Sequence, residues 1–141
     1  RYPQVGCFVD WKTVYDRCRA LFQHWNVDFD PKMKVRFLST AETQMLEILK
    51  AISYDAKLII MDEPFVGLDP KAAFSFKQLM REFCENGGAI FFSTHVLDVA
   101  EKLCNKIAII KDGKLIASGT MEEVKGQDSL ENVFLELVEH E

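Results

Sequence analysis

Short apolar runs alternate along this chain with longer segments whose apolar residues recur at helical spacing. Residues 58–61, 89–93 and 107–110 are apolar runs of strand length with turn or breaker residues nearby, so each predicts a short buried strand. A segment with a helical stripe precedes each run. This alternation of helices and buried strands predicts an α/β sheet.

Candidate caps mark where the first helices begin. Asp10 precedes a stripe that extends to Trp25. Ser39 or Thr40 precedes a second helix, and Glu42 stands at capping-box spacing from Ser39. The apolar stripe of this second helix consists of Met45, Leu46, Ile48, Leu49 and Ile52. Both segments therefore predict amphipathic helices that pack one face on a core.

Turn and cap residues also divide the C-terminal half. Pro70 or Lys71 opens a third helix, which an Asn-Gly-Gly triplet ends at residues 86–88. An Asp-Gly pair at residues 112–113 predicts a two-residue hairpin. Thr120 with Glu123 forms a second capping box, and a last amphipathic helix follows it.

Composition narrows the possible partners. The chain has 141 residues, 48% of them hydrophobic, which fits one domain or part of a larger one. Its net charge of −5 argues against a nucleic-acid binder that relies on a broad basic face. No apolar run is long enough to span a membrane, so any link to a membrane goes through a partner. The four cysteines are widely spaced and are expected to be reduced thiols of a cytosolic protein.

Two adjacent carboxylates end the first predicted strand. Asp62 and Glu63 follow the apolar run, and Pro64 prevents the strand from continuing. Ligands of α/β sheets bind at the carboxyl ends of parallel strands. There one acid can hold Mg²⁺ and the other can orient an attacking water. A pair of solvated acids is the plainer interpretation of these two residues taken alone.

Three motifs in order make the chain resemble an ATP-binding cassette (ABC) ATPase from about residue 35 to the C terminus. Residues 58–63 look like the Walker B strand of that family. Gly67-Leu68-Asp69 is similar to its D-loop, and Ser-Thr-His at residues 93–95 is similar to its switch-histidine segment.

The resemblance implies a role for each of four residues. Asp62 would bind Mg²⁺, and Glu63 would be the general base or the carboxylate that orients water. Asp69 would communicate between paired ATPase subunits. His95 would contact the γ-phosphate of ATP, to which a histidine can donate a hydrogen bond.

The subfamily resemblance extends to the partners. Residues 62–70, 92–120 and 129–137 resemble the ATPase subunits of ABC-2-type and related bacterial exporters, in which a separate membrane subunit forms the translocation path. This implies an ATPase that uses ATP and Mg²⁺, with a membrane-spanning subunit and a second ATPase subunit, identical or different, as partners. It also implies no nucleic-acid partner and a cytoplasmic location, peripheral on the inner face of the cell membrane. The transported substrate and the direction of transport stay open.

The helix that Ser39 begins departs from the family in its first turn. FLSTAE at residues 37–42 occupies the position of the family's Leu-Ser-Gly-Gly-Gln signature. The serine is kept as Ser39, a phosphate contact by resemblance, while Thr40, Ala41 and Glu42 replace the glycines and the glutamine. Backbone N–H groups of those glycines approach the γ-phosphate closely. Side chains crowd that approach and Glu42 adds negative charge, so we expect impaired catalysis at the site that this helix completes.

The phosphate-binding loop G-x-x-x-x-G-K-[ST] does not occur among the 141 residues. The chain is therefore expected to be the C-terminal portion of a cassette, lacking the Walker A half and inactive alone. The expected fold is an incomplete P-loop NTPase core with a mostly parallel sheet. Residues 1–52 would be part of the helical subdomain, 53–126 the α/β core and 127–141 a C-terminal helix. The Pro-Gln pair before residue 5 is similar to one in the family, which would make Gln4 a Mg²⁺- and water-contacting glutamine.

The missing loop has a structural corollary. In the family's sheet, the strand that leads into the phosphate loop lies between the strands that correspond to residues 89–93 and 107–110. Without it, those two strands must pair with each other or keep edges that another chain fills.

Two other functions fit parts of the pattern. The altered signature and the absent phosphate loop would suit a non-hydrolysing module that docks on a membrane partner. A strand that ends in two acids also occurs in chromosome-maintenance and helicase ATPases, but the acidic charge and the exporter-like tail argue against them. A phosphate loop encoded upstream of Arg1 would support the hydrolysing subunit. An in-frame start without that loop would support the docking module.

Overall fold

The computed structural model describes residues 2–139. In chain order, its elements are β1 (Gln4–Val5), β2 (Phe8–Val9), α1 (Trp11–His24), a 3-10 helix (Val35–Phe37), α2 (Thr40–Ser53), β3 (Leu58–Asp62), α3 (Pro70–Glu85), β4 (Ala89–Ser93), α4 (Leu97–Leu103), β5 (Lys106–Lys111), β6 (Lys114–Thr120), α5 (Met121–Lys125) and α6 (Leu130–Glu139). The predicted α/β class is confirmed.

The chain divides into two compact units, Arg1–Phe92 and Ser93–Glu141. The boundary falls at the end of β4, before the segment that contains His95. The first unit contains the β1–β2 and β3–β4 sheets, the second contains the β5–β6 sheet, and each unit has its own helices. The three-segment division made from the sequence stays a prediction.

The core of the first unit lies among α1, α2, α3 and the β3–β4 sheet. Its buried members are large apolar side chains that recur at helical spacing on the three helices, together with one residue of β3. They are Phe22, Trp25, Met45, Ile48, Leu49, Ile59, Phe76, Leu79, Met80 and Phe83. The stripes read from the sequence therefore supply the centre of this core.

Local caps start the helices of the first unit where the sequence predicts them. The side chain of Asp10 accepts a hydrogen bond from the backbone N–H of Thr13 at 3.1 Å. Ser39, and not Thr40, is the N-cap of α2, and Glu42 completes the capping box. These side chains satisfy backbone donors that have no partner within the helix.

β3 and β4 form a two-stranded sheet. The N–H of Ala89 donates to the carbonyl of Lys57 at 2.8 Å, so both strands begin at the same end and run in parallel. The predicted burial is wrong for one face of this sheet, on which Leu58, Ile60 and Phe91 are 55%, 71% and 63% exposed. Only the opposite face packs on the core, because side chains alternate along a strand.

The Asn-Gly-Gly triplet ends α3, as predicted, and places a glycine under an aromatic ring. The N–H of Gly88 donates to the carbonyl of Phe83 at 3.1 Å. A Cβ atom at Gly88 would lie 2.3 Å from Cε1 of the Phe83 ring. Gly87 has a φ of +88°, a conformation that glycine adopts without strain.

The second unit contains an antiparallel hairpin of β5 and β6. Lys111 pairs with Lys114 across the turn, and Asp112 and Gly113 have φ angles of +50° and +74°. Positive φ at both central positions matches the twist of the flanking strands, so the predicted Asp-Gly hairpin is confirmed. The capping box of Thr120 and Glu123 is also present.

The strands at 89–93 and 107–110 do not share a sheet in the described part of the chain. β4 has β3 as its only strand partner there, and β5 has only β6. Of the two outcomes expected from the missing loop, direct pairing of these strands is not observed among residues 2–139.

One carboxylate connects the three helices of the second unit. Glu101 on α4 accepts hydrogen bonds from the ammonium group of Lys125 on α5 and, at 2.9 Å, from the backbone N–H of Leu130 at the start of α6. The hydrogen bond from Lys125 is the largest cause that holds the pKa of Glu101 below its usual range, and the bond from Leu130 is the next. Leu130 is only 2% exposed, so the start of α6 is packed as well as capped.

The four cysteines are free, as expected. Burial raises the pKa of the Cys84 and Cys104 thiols, which disfavours their reactive thiolate forms. Among residues 2–139, no helix combines the length and the apolar composition needed to cross a membrane.

Candidate functional site

The two adjacent acids at the end of β3 have different surroundings. Asp62 is the last residue of the strand and is exposed to solvent. Glu63 follows with a φ of +44°, a left-handed conformation that is uncommon for a residue other than glycine, asparagine or aspartate. Its Oε2 atom is buried. The strand end therefore presents one open carboxylate and one whose backbone is strained and whose side chain is partly shielded from water.

A tight turn follows directly from Glu63. The N–H of Val66 donates to the carbonyl of Glu63 at 3.2 Å, which closes a four-residue turn with Pro64 as its second residue. The Pro64 side chain is fully buried. Because proline fixes its own φ, the turn leaves the strand in one defined direction.

Phe65 anchors the third position of this turn. Its ring lies edge-on to the ring of Phe76 on α3, with centroids 5.4 Å apart, and to the ring of Phe92 on β4, with centroids 5.8 Å apart. The ammonium nitrogen of Lys77 lies 5.6 Å from the centre of the Phe65 ring. Phe65 was not among the site residues predicted from the sequence. Its only signal there is an aromatic residue directly after the Asp-Glu-Pro triplet.

Asp69 caps the helix that follows the turn. Its Oδ1 atom accepts hydrogen bonds from the N–H groups of Lys71 at 2.9 Å and Ala72 at 3.0 Å. Pro70 occupies the first position of α3, where its missing N–H costs nothing. Asp69 thus has a structural role in starting α3, in addition to the role that the resemblance implies.

Ser39 begins α2, and the carboxylate of Glu42 lies against it. Oε2 of Glu42 accepts hydrogen bonds from the N–H and from the hydroxyl of Ser39, each at 2.7 Å. The N–H of Glu42 donates back to the Ser39 hydroxyl at 3.3 Å. The bond from the Ser39 backbone, followed by the one from its hydroxyl, holds the pKa of Glu42 below its usual range. The N terminus of α2 therefore already holds a negative charge.

The two replaced glycine positions differ in their surroundings. Ala41 is 7% exposed, so its methyl group belongs to the core and does not crowd the open end of the helix. Thr40 is exposed, and its methyl carbon would lie 3.7 Å from a Cβ atom built at Gly67. The N terminus of α2 and the loop after β3 therefore lie close together within the first unit.

Gln4 lies in the same unit as these residues but in a separate hairpin, and His95 belongs to the second unit. Gln4 belongs to β1, where it pairs with Val9 of β2 in a hairpin that the sequence did not predict, and its side chain is exposed. His95 follows β4 in the second unit and is exposed, next to a turn in which Thr94 Oγ1 accepts a hydrogen bond from the N–H of Val96 at 3.1 Å. The structure thus brings Asp62, Glu63, Asp69 and the helix that starts at Ser39 into one unit.

The donors at the end of β3 fit a Mg²⁺ ion in part. Mg²⁺ requires oxygen ligands and is usually held by one or two carboxylates, with water and substrate phosphates as the others. Asp62 is an exposed carboxylate of this kind. Within residues 2–139, no group of three or more His, Cys, Asp or Glu side chains could enclose a metal ion by itself. A cradle for the phosphates is not encoded in the chain.

Comparison with known proteins identifies relatives. No protein-family model matches the chain. The galactose/methyl galactoside import ATP-binding protein MglA of Haemophilus influenzae is 39% identical over 131 residues, which cover 89% of this chain and 26% of that protein. The protein of the same name from Escherichia coli is 37% identical over 118 residues, covering 84% and 23%. The chain spans about a quarter of the length of these relatives.

Solved structures share the fold. The ATP-binding subunit of an ABC transporter aligns with a TM-score of 0.72 and 29% identity, over 94% of this chain and 57% of the other. An ATP-binding cassette of another ABC transporter aligns with a TM-score of 0.75 over 96% of this chain and 52% of the other, at 22% identity, which supports the fold alone.

These relatives correct one expectation and confirm another. The assignment to exporter-type subunits is not supported, because the relatives carry the names of import proteins. Nothing among them supports the non-hydrolysing docking module. The resemblance to the ABC ATPases is confirmed: solved ATP-binding subunits and cassettes of ABC transporters share the fold of this chain, and its relatives carry the names of import ATP-binding proteins.

Proposed function

We propose that this chain is part of an ATP-hydrolysing subunit that powers an ABC transporter. The observation that carries the proposal is the end of β3, where an exposed Asp62 precedes a strained, partly shielded Glu63 in a chain homologous to ABC ATP-binding subunits. Strained backbone persists where the surrounding structure enforces it, and it is concentrated at active sites.

Each acid has a distinct task in this proposal. Asp62 holds Mg²⁺, which when bound neutralises charge on the phosphates of ATP. Glu63 orients the attacking water and accepts its proton. The shielded Oε2 atom of Glu63 suits this task, because a carboxylate partly removed from bulk water keeps a fixed direction.

Four further residues complete the proposed site. His95 donates a hydrogen bond to the γ-phosphate, and Ser39 contacts phosphate from the start of α2. Asp69 communicates with a second ATPase subunit while it also caps α3. Gln4 contacts Mg²⁺ and water. The fold assignment and the altered Ser-Thr-Ala-Glu turn together support a site that needs a second ATPase subunit and functions slowly.

The remaining parts of the proposal concern the transporter. We infer that a membrane-spanning subunit is the partner, which places the protein in the cytoplasm, peripheral on the inner face of the cell membrane. Import is the direction that the names of the relatives support, with galactosides as the first substrates to test. Residues 1–52, 53–126 and 127–141 form the helical, core and C-terminal parts of the cassette portion.

Glu63→Gln in the full-length protein tests the proposal. The amide keeps the size of the side chain but cannot accept the proton, so ATP hydrolysis should fall by a factor of about 100 or more while ATP binding persists. Glu85→Gln, at the exposed end of α3, is the matched control and should hydrolyse ATP at the wild-type rate. Wild-type hydrolysis by the Glu63 variant would contradict the assignment of the base.

A second measurement tests whether the chain can bind ATP without the phosphate loop. The 141-residue chain alone should show no measurable ATP binding by calorimetry, because it has no loop or lysine to hold the phosphates. Micromolar affinity would refute this part of the proposal.

A further inference from the structure

Three aromatic rings of the first unit meet beside the strained residue of the proposed site. The ring of Phe65 lies between Phe76 and Phe92, at an interplanar angle of 78° to the first and 66° to the second. Aromatic pairs favour edge-to-face arrangements of this kind. Phe65 is therefore attached at once to the helix that follows the site loop and to the neighbouring strand.

The backbone connects this ring to Glu63. Pro64 and Phe65 are the two central residues of the turn that the Val66 N–H to Glu63 carbonyl bond closes. Pro64 is fully buried, and Phe65 is held by its ring contacts. With both following residues fixed, the φ of Glu63 cannot relax toward the ordinary extended or helical regions without moving a buried side chain.

The strain at Glu63 needs such a support. A left-handed glutamate is less favourable than an extended one, so the isolated segment would not populate it. The conformation also sets where the carboxylate points, because rotation about φ swings the whole side chain relative to β3. Contacts that hold the φ of Glu63 therefore also hold the position of the proposed base.

We propose that Phe65 is a positioning residue for ATP hydrolysis, which holds Glu63 in its left-handed conformation and so aims the carboxylate. The inference rests on the proposed role of Glu63 as the base. Phe65 itself touches neither nucleotide nor water in this role. Its effect is confined to the geometry of the residue two positions before it.

Replacement of Phe65 in the full-length protein separates positioning from folding. Phe65→Ala removes both ring contacts, and kcat for ATP hydrolysis should fall by about 10- to 100-fold, since a displacement of about 1 Å can cost that much. The KM for ATP should stay near the wild-type value. Phe65→Tyr keeps the ring and should restore kcat, whereas Phe65→Leu keeps apolar volume without the ring and should give an intermediate kcat.

The pair of Phe22 and Phe29 offers a matched control. These rings are also edge-on, at 5.6 Å and 81°, in the same unit, but they belong to α1 and the segment after it and not to the loop after β3. Phe29→Ala should lower the thermal unfolding midpoint about as much as Phe65→Ala and leave kcat unchanged. An equal loss of kcat in both variants would mean that Phe65 acts through general stability, and the inference would be wrong.

The outcomes also distinguish this inference from the proposed function. If Glu63→Gln hydrolyses ATP normally, the proposed function fails and the role of Phe65 fails with it. If Glu63→Gln is inactive but Phe65→Ala keeps wild-type kcat, only the present inference fails. If Phe65→Ala does not fold, the comparison of Phe65→Leu with Phe65→Tyr decides: a lower kcat in the leucine variant supports positioning, and equal values refute it.

Discussion

The carboxylate of Glu42 accepts hydrogen bonds from both the backbone N–H and the hydroxyl of Ser39, each at 2.7 Å. A hydroxyl has one proton to donate. While Ser39 donates it to Glu42, the hydroxyl has none for a nucleotide phosphate. A phosphate that binds Ser39 at the start of α2 must therefore displace the Glu42 carboxylate from the hydroxyl.

Glu42→Gln in the full-length protein should therefore raise the rate of ATP hydrolysis by about two- to fivefold, because it removes a negative charge from a helix N terminus that binds anions. Turnover at saturating ATP is the measurement. The matched control is Glu123→Gln, because Glu123 forms the same capping box with Thr120, at 2.8 and 3.2 Å, in the second unit. If the Glu42 and Glu123 variants hydrolyse ATP at equal rates, the Glu42 carboxylate does not compete with phosphate for the start of α2.

Glu101 should make the stability of the second unit depend on pH. Its pKa in the folded protein lies below the ordinary value of 4.5, so the stabilisation is complete above pH 4.5 and is lost as the pH falls through the lower, folded-state pKa. Glu101→Gln should reduce the free energy of unfolding at neutral pH, and the difference from wild type should shrink in acid. Chemical denaturation of the full-length protein from pH 7 to pH 3 measures it.

Glu136→Gln, on an exposed part of α6, is the control for Glu101 and should differ little from wild type in its free energy of unfolding. If the free energy of unfolding of Glu101→Gln differs from that of wild type by the same amount down to pH 3, the ionised carboxylate of Glu101 does not stabilise the second unit.

Asp69 caps α3 and has a proposed role in communication between ATPase subunits, and substitutions can distinguish the two. Asp69→Ala should destabilise the protein by about 1 kcal/mol, because two N–H groups at the start of α3 lose their acceptor. Asp69→Ser keeps a capping oxygen but removes the charge, so it should retain stability while altering communication between ATPase subunits. Thermal unfolding and the ATP-concentration dependence of hydrolysis report the two roles. If serine and alanine lose equal stability, the cap is not the structural function of Asp69.

The exposed face of the β3–β4 sheet predicts a covering layer in the full-length protein. Parallel strands are usually covered on both faces, yet Ile60 is 71% exposed here. Ile60→Ala should cost about 2–4 kcal/mol in the full-length protein, where the face is covered, and less than about 0.5 kcal/mol in the 141-residue chain. Ile59→Ala, on the buried face of the same strand, should be costly in both. Equal, small effects of Ile60→Ala in both proteins would show that this face stays open.

Features set by nearby residues were predictable from the sequence. The caps at Asp10 and Ser39 and the hairpin turn at Asp112 depend on side chains and φ preferences within four residues of each other, and all three form as predicted. The β1–β2 hairpin was not predicted, because strands of two residues carry no periodic signal.

Features set by distant contacts were harder to foresee. The apolar run of β3 predicts a strand, but the exposure of Leu58 and Ile60 depends on what lies against the sheet. The acids at 62–63 stand out as neighbours in sequence, whereas the anchoring of Phe65 depends on Phe76 and on Phe92 from a later strand. The direction of transport depends on no local physical property of these residues, and the import that we propose rests on the names of the relatives.

The two glycines after α3 impose different restrictions on sequence variation. Position 87 is restricted by chirality alone: nothing lies within 4 Å of a Cβ there, so a D-alanine, whose preferred φ is positive, should fit well. Position 88 is restricted by space, since an L-side chain would overlap the Phe83 ring. In a library of variants, we expect a substitution at 88 to survive only together with a smaller residue at 83, whereas a substitution at 87 gains nothing from any second change. Adjacent glycines can thus differ in whether their evolution is coupled to another position.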